Sequence, residues 1–127
     1  MQIYFLTLED ILEIHKDQIT RYGGKNGVRD HSLLLSAIAQ PKSTFDSQYL
    51  HKTWDAKAAA YLFHICQNNP FIDGNKRVTL VSALIFLAMN NLPIDYDEST
   101  LEKLTRSVAE GKAKKKEVAA FFSKSLG

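Results

Sequence analysis

The sequence predicts an essentially all-α single domain over residues 1–127. Three observations predict it. Apolar residues recur at helical spacing through most of the chain. The breaks between those segments carry helix punctuation, with Thr7, Asp30 and Thr53 at starts and Gly23-Gly24, Pro41, Pro93 and Gly111 at stops. Only Ile3 to Leu6 is a short, apolar, β-prone run, and it reads as either a small edge strand or an extended lead-in.

Each segment has its own justification. Thr7 and Asp10 are spaced as a capping box, and Leu8, Ile11, Leu12, Ile14 and Ile19 follow as an amphipathic helix. His15 falls on a mixed face of it and reads as structural or exposed, because no partner motif accompanies it. Gly23 to Gly27 is a flexible loop without the strand-loop-helix setting of a phosphate-binding Walker loop. Asp30 caps a helix over Ser32 to Ala39, ended by Gln40-Pro41. Arg29 just ahead of that cap is either a phosphate contact or half of an ion pair. Lys42 to His51 has no period and reads as a loop that packs Phe45 and Tyr49 on the body of the domain.

Trp54 to Gln67 and Val78 to Met89 are the two most apolar helices and the expected central pair, with His64 as a core or groove histidine. Asp97 to Glu110 is a further helix with acids at its start. The four lysines of Lys112 to Lys116 read as a solvated loop or helix start, with an acidic partner segment as the alternative. Val118, Phe121, Phe122 and Leu126 give a terminal helix its apolar face.

Composition narrows the function classes. A net charge of +2 is too small to imply nucleic-acid binding, and no helix has the basic face of a recognition helix. The single cysteine, Cys66, cannot form an internal disulfide and reads as a small buried hydrophobe in a reducing compartment. No apolar run is long enough to span a bilayer, and no secretory signal is present, so the expected location is cytoplasmic.

The chemistry concentrates between the two central helices, in Asn69 to Leu80. Pro70 cannot continue a helix, and Gly74 can take positive φ. Gly74-Asn75-Lys76-Arg77 therefore falls at a helix N-terminus, where unpaired N–H groups and the macrodipole favour an anion. Lys76 and Arg77 oppose that dipole unless a phosphate sits there. Asp73 is suited to a divalent cation that also binds phosphate oxygens. The alternative is a plain turn, with Asp73 or Asn75 capping the helix and both cations solvated.

This stretch resembles the Fic/Doc (Fido) superfamily, and within it the death-on-curing toxins. The general pattern is His-x-Phe-x-Asp/Glu-Gly-Asn-Gly-Arg-x-x-Arg. Phe71, Asp73, Gly74, Asn75 and Arg77 match it, Lys76 matches the death-on-curing form, and Leu80 stands where the last Arg would be. The likeness extends to Ile3 to Leu6, Tyr22 to Gly24, Gly27 to Asp30, Ser36 to Ile38 with Pro41, and Ala58 to Leu62. One departure matters: the catalytic His of the family falls at position 69, where this chain has Asn69.

The resemblance implies a Fic/Doc-type helical domain and transfer from ATP or another nucleoside triphosphate to a protein hydroxyl. Asn69 would occupy the place of the general base, and Lys76 and Arg77 would be catalytic cations. Gly74, Asn75, Lys76 and Arg77 would bind phosphates, and Asp73 would hold Mg²⁺. Leu80 and Lys76 imply phosphoryl rather than nucleotidylyl transfer. The implied partners are an antitoxin whose C-terminal segment folds into a groove, and a target protein, expected to be a translation factor. An amide has no usable basicity, so Asn69 implies an impaired enzyme or, alternatively, a non-catalytic nucleotide- or partner-binding module.

Overall fold

The computed structural model describes residues 2–127, and among them six helices and one small hairpin form the fold. Helix α1 (Leu8–Tyr22) starts at the predicted capping box: Asp10 N–H donates to Thr7 Oγ1, and Thr7 N–H to the Asp10 carboxylate. Helix α2 (His31–Ala39) is capped by Asp30 and runs into a single 3-10 turn at Gln40–Lys42. Strands β1 (Thr44–Phe45) and β2 (Gln48–Tyr49) pair antiparallel. Then come α3 (Trp54–Asn68), α4 (Asn75–Met89), α5 (Glu98–Ala109) and α6 (Lys115–Leu126).

Helix α3 is the axis of the molecule. Ala58 to Leu62, Ile65 and Cys66 are all buried on it, because the alanine run lets α2, α4, α5 and α6 approach on every side. Its Tyr61 packs on Phe86 of α4 at 5.0 Å between ring centroids. That closes a core that also takes in Leu34, Phe71, Leu101, Val118 and Phe122.

Of the two readings of Ile3 to Leu6, the extended lead-in is the one that forms, and no strand is present there. It is held by side chains instead of a ladder: Asn90 bonds both backbone groups of Tyr4, and Leu6 N–H donates to the buried Tyr61 hydroxyl at 2.8 Å. The hairpin arises in the stretch expected to be loop. Asp46 and Ser47 adopt positive φ, small polar residues that make a tight reversal where no Gly signals one. Tyr49 packs on Phe5 as expected, whereas Phe45 remains 75% exposed.

Lys115 is not a solvated lysine. Its ammonium turns inward and donates to His51 Nε2 and His64 Nε2, each at 3.0 Å, pinning the start of α6 to α3. Burial, and then the Lys115 charge, hold both imidazoles below the ordinary histidine value, His64 at about 4. Lys57 is the other cation here, its ammonium on the His51 carbonyl at 2.7 Å. Unfolded imidazoles titrate near 6.5, so the unfolded chain takes up protons that the folded one refuses. Stability is therefore complete above pH 6.5 and falls as the pH drops toward 4. Both imidazoles are partly screened by solvent, so the melting temperature should fall by roughly 5 °C between pH 7.5 and 5. Lys115→Met should reduce that loss without abolishing it, because burial remains. Thermal melts of both proteins across this range check it.

Candidate active site

The stretch between α3 and α4 is shaped by backbone constraints from both sides. Asn69 ends α3 in the left-handed region (φ 48°, ψ 53°), its N–H on the Ile65 carbonyl. Asparagine tolerates that conformation better than most residues. The exposed ends of α3 would leave carbonyls unpaired, and Arg29 supplies the donors. Its guanidinium bonds the Asn69 carbonyl through Nε (2.9 Å) and Nη2 (2.7 Å), and the Asn68 carbonyl at 3.1 Å. Among the described residues Arg29 forms no ion pair, and its Nε and Nη2 are taken by the end of α3. The chain then runs against residues 27–30: Arg29 and Asp30 donate to the Pro70 carbonyl, and Ile72 to that of Gly27. Gly27 is favoured there because its φ of 127° is one that side-chain-bearing residues rarely adopt.

Asn75 folds its amide back over the loop, accepting from Phe71 N–H and donating to the Phe71 carbonyl, both at 2.9 Å. The Asn75 side chain is thus occupied inside the loop, and only its backbone is left for a ligand. Gly74 is the N-cap of α4 at φ 75°, and no side chain caps the helix. The first turn closes with Val78 N–H on the Gly74 carbonyl, so the N–H groups of Asn75, Lys76 and Arg77 have no partner within the helix. The plain turn capped by Asp73 or Asn75 is not what forms.

Asp73 points the other way. Its Oδ2 accepts from Lys25 N–H (3.1 Å) and its Oδ1 from Gly74 N–H (2.9 Å). The Lys25 and Gly74 N–H groups hold this exposed carboxyl below the usual carboxylate range. Gly24 makes the approach possible, because a Cβ there would come within 2.7 Å of Asp73 Oδ2. The Gly23 to Gly27 loop therefore receives the acid. Arg77 reaches the same place, its guanidinium 3.1 Å from the Gly23 carbonyl and over the Tyr22 ring. Lys76 is exposed.

These groups line one pocket of about 480 Å³, bounded by Asn69, Asp73, Gly74, Asn75, Lys76 and Arg77 with Cys66, Ile72 and Ala109. Asn69 and the residues expected from the resemblance to bind metal and phosphate, Asp73 to Arg77, are all in it. The Asn69 side chain is exposed on the rim. Cys66 meets the Thr105 carbonyl at 3.8 Å, and burial pushes its thiol up to about 11, which leaves almost no thiolate at neutral pH. Sequence reasoning missed Arg106, which shares a smaller adjoining cleft with Lys76, Arg77 and Leu80. His15, read from the sequence as structural or exposed, is buried with Ile11 and Gln18 on one stripe of α1.

A family model, Fic/DOC, matches residues 5–87. The chain belongs to the Fic/DOC family. Among its relatives is Toxin Doc of Mycolicibacterium smegmatis, 35% identical over 108 residues that cover 83% of this chain and 80% of the relative. Protein kinase doc of Escherichia phage P1 is 30% identical over 111 residues, covering 87% of this chain and 86% of that protein. Both carry the Doc name, which places this Fic/DOC chain with the Doc toxins rather than elsewhere in the superfamily. The all-α architecture agrees.

Among the described residues no three acidic, histidine or cysteine side chains converge on a point. A divalent cation bound through Asp73 would need phosphate oxygens as well. The Asp73 carboxylate fits that use: it is exposed, ionised and oriented, with lone pairs left after its backbone bonds.

Proposed function

We propose that this protein is the toxin of a toxin–antitoxin pair, built to transfer the γ-phosphoryl group of ATP or a related triphosphate to a protein hydroxyl. One observation carries the reading: Asp73, the uncapped N-terminus of α4, Lys76 and Arg77 all face a single pocket. The free N–H groups and both cations suit triphosphate oxygens, since phosphoryl transfer is mostly positioning and charge stabilisation. Asp73 would hold Mg²⁺, which when bound neutralises charge on the triphosphate. In the transfer a bond forms from the target hydroxyl oxygen to the γ-phosphorus, the β–γ bridging P–O bond breaks, and a nucleoside diphosphate leaves.

The hydroxyl proton needs an acceptor. Asn69 offers an amide in the position from which a base would act, so this chain binds and orients but transfers slowly. Leu80, in the place of a second Arg, and the kinase name of the phage relative favour γ- over α-transfer. The proposed target is a translation factor, and the proposed partner is an antitoxin whose C-terminal tail folds on binding. A non-catalytic nucleotide-binding module is the second reading, and Asn69 itself favours it. ATP labelled at the α- or γ-phosphate, added with Mg²⁺ to extract and either this protein or its Asn69→His variant, separates them. A protein band labelled from γ alone supports the kinase, and one labelled from α indicates nucleotidylyl transfer. Nucleotide binding without transfer by either protein leaves the binding module.

A further inference from the structure

His15 is 2% exposed in the middle of α1, yet its ring is not merely filling. It stacks on Phe71 with centroids 4.0 Å apart and planes 8° from parallel. Its Nε2 lies 2.9 Å from the Asp73 carbonyl oxygen. A carbonyl only accepts, so Nε2 carries the hydrogen. The far side of the same peptide is also fixed, because the Gly74 N–H donates to Asp73 Oδ1. The Asp73–Gly74 peptide is thus held at both its oxygen and its nitrogen, and it is the peptide that sets Gly74 in the left-handed conformation before α4.

We propose that His15 is a positioning residue for the phosphate site: its Nε2–H fixes the Asp73–Gly74 peptide and so aims the N–H groups opening α4. The consequence for nucleotide rests on the proposed function, but the hold on the loop does not. The stack and the hydrogen bond are separable. Phe at position 15 keeps an aromatic ring on Phe71 and removes the donor, and Gln keeps a donor at nearly the reach of Nε2.

The test compares the full chain with His15→Phe and His15→Gln, by amide ¹H–¹⁵N spectra without ligand and by titration with Mg·ATP. Ring ¹⁵N shifts of the unmodified protein should show an Nε2–H ring, and an unprotonated Nε2 would overturn the proposal before any variant is made. His15→Phe should move the amide signals of residues 74–77 and weaken Mg·ATP binding about tenfold. His15→Gln should restore both. Unmoved amides and unchanged binding in His15→Phe overturn it. If His15→Phe does not fold, failure of His15→Gln to keep the amide positions of residues 74–77 does the same. Absence of Mg·ATP binding in the unmodified protein counts against the proposed function alone, and the amide shifts still decide the role of His15.

Discussion

Asn69→His should raise γ-phosphoryl transfer by on the order of 10²–10⁴, the usual contribution of a positioned general base. Nothing in the surrounding structure needs to move for this. The Asn69 backbone is fixed by its own N–H on Ile65 and by Arg29 on its carbonyl, while its side chain is exposed at the pocket. Histidine, like asparagine, is enriched among residues tolerating the left-handed region, so the fold should keep its melting temperature within a few degrees. The new rate should rise with pH through a transition near 6.5, where an imidazole becomes able to take a proton. Label transfer followed against pH reads both. An Asn69→His protein that binds Mg·ATP and transfers no faster than the parent would remove position 69 as the site of the missing base.

How far the sequence carries can be judged residue by residue. Caps at Thr7, Asp30 and Thr53 were readable because each side chain bonds an N–H three residues along, a local rule that needs no tertiary information. The pocket residues were readable because they lie within a few positions of each other. What was not readable comes from distant chain. Arg29 acts on Asn69 across 40 positions, His15 on Asp73 across 58, and Lys115 on His51 across 64. Each is a charged or polar side chain that satisfies a backbone or imidazole group brought to it only by the fold, and no local pattern marks such a use. The β1–β2 hairpin was missed for another reason: Asp46 and Ser47 turn without the Gly that usually signals positive φ.

Asp73→Asn, made in the Asn69→His protein, should reduce transfer by on the order of 10² or more, given the several kcal/mol that a bound metal contributes. The change keeps the size of the side chain and removes its charge. An amide oxygen can still accept one backbone N–H, from Lys25 or Gly74, but the NH₂ group cannot accept the other. Some loosening of the loop is therefore expected alongside the loss of a metal ligand, and rate alone does not tell them apart. Dependence on Mg²⁺ does. A carboxylate that holds the cation makes half-saturation shift to higher Mg²⁺ in the amide variant, with partial recovery at saturating metal. A carboxylate that only staples the loop leaves half-saturation unchanged while the melting temperature falls. The two uses are compatible in Asp73, because Lys25 and Gly74 take one lone pair from each oxygen and, by holding the group ionised, prepare it for a cation. An unaltered Mg²⁺ requirement in Asp73→Asn would remove the metal role and leave the phosphate contacts to Lys76, Arg77 and the first turn of α4.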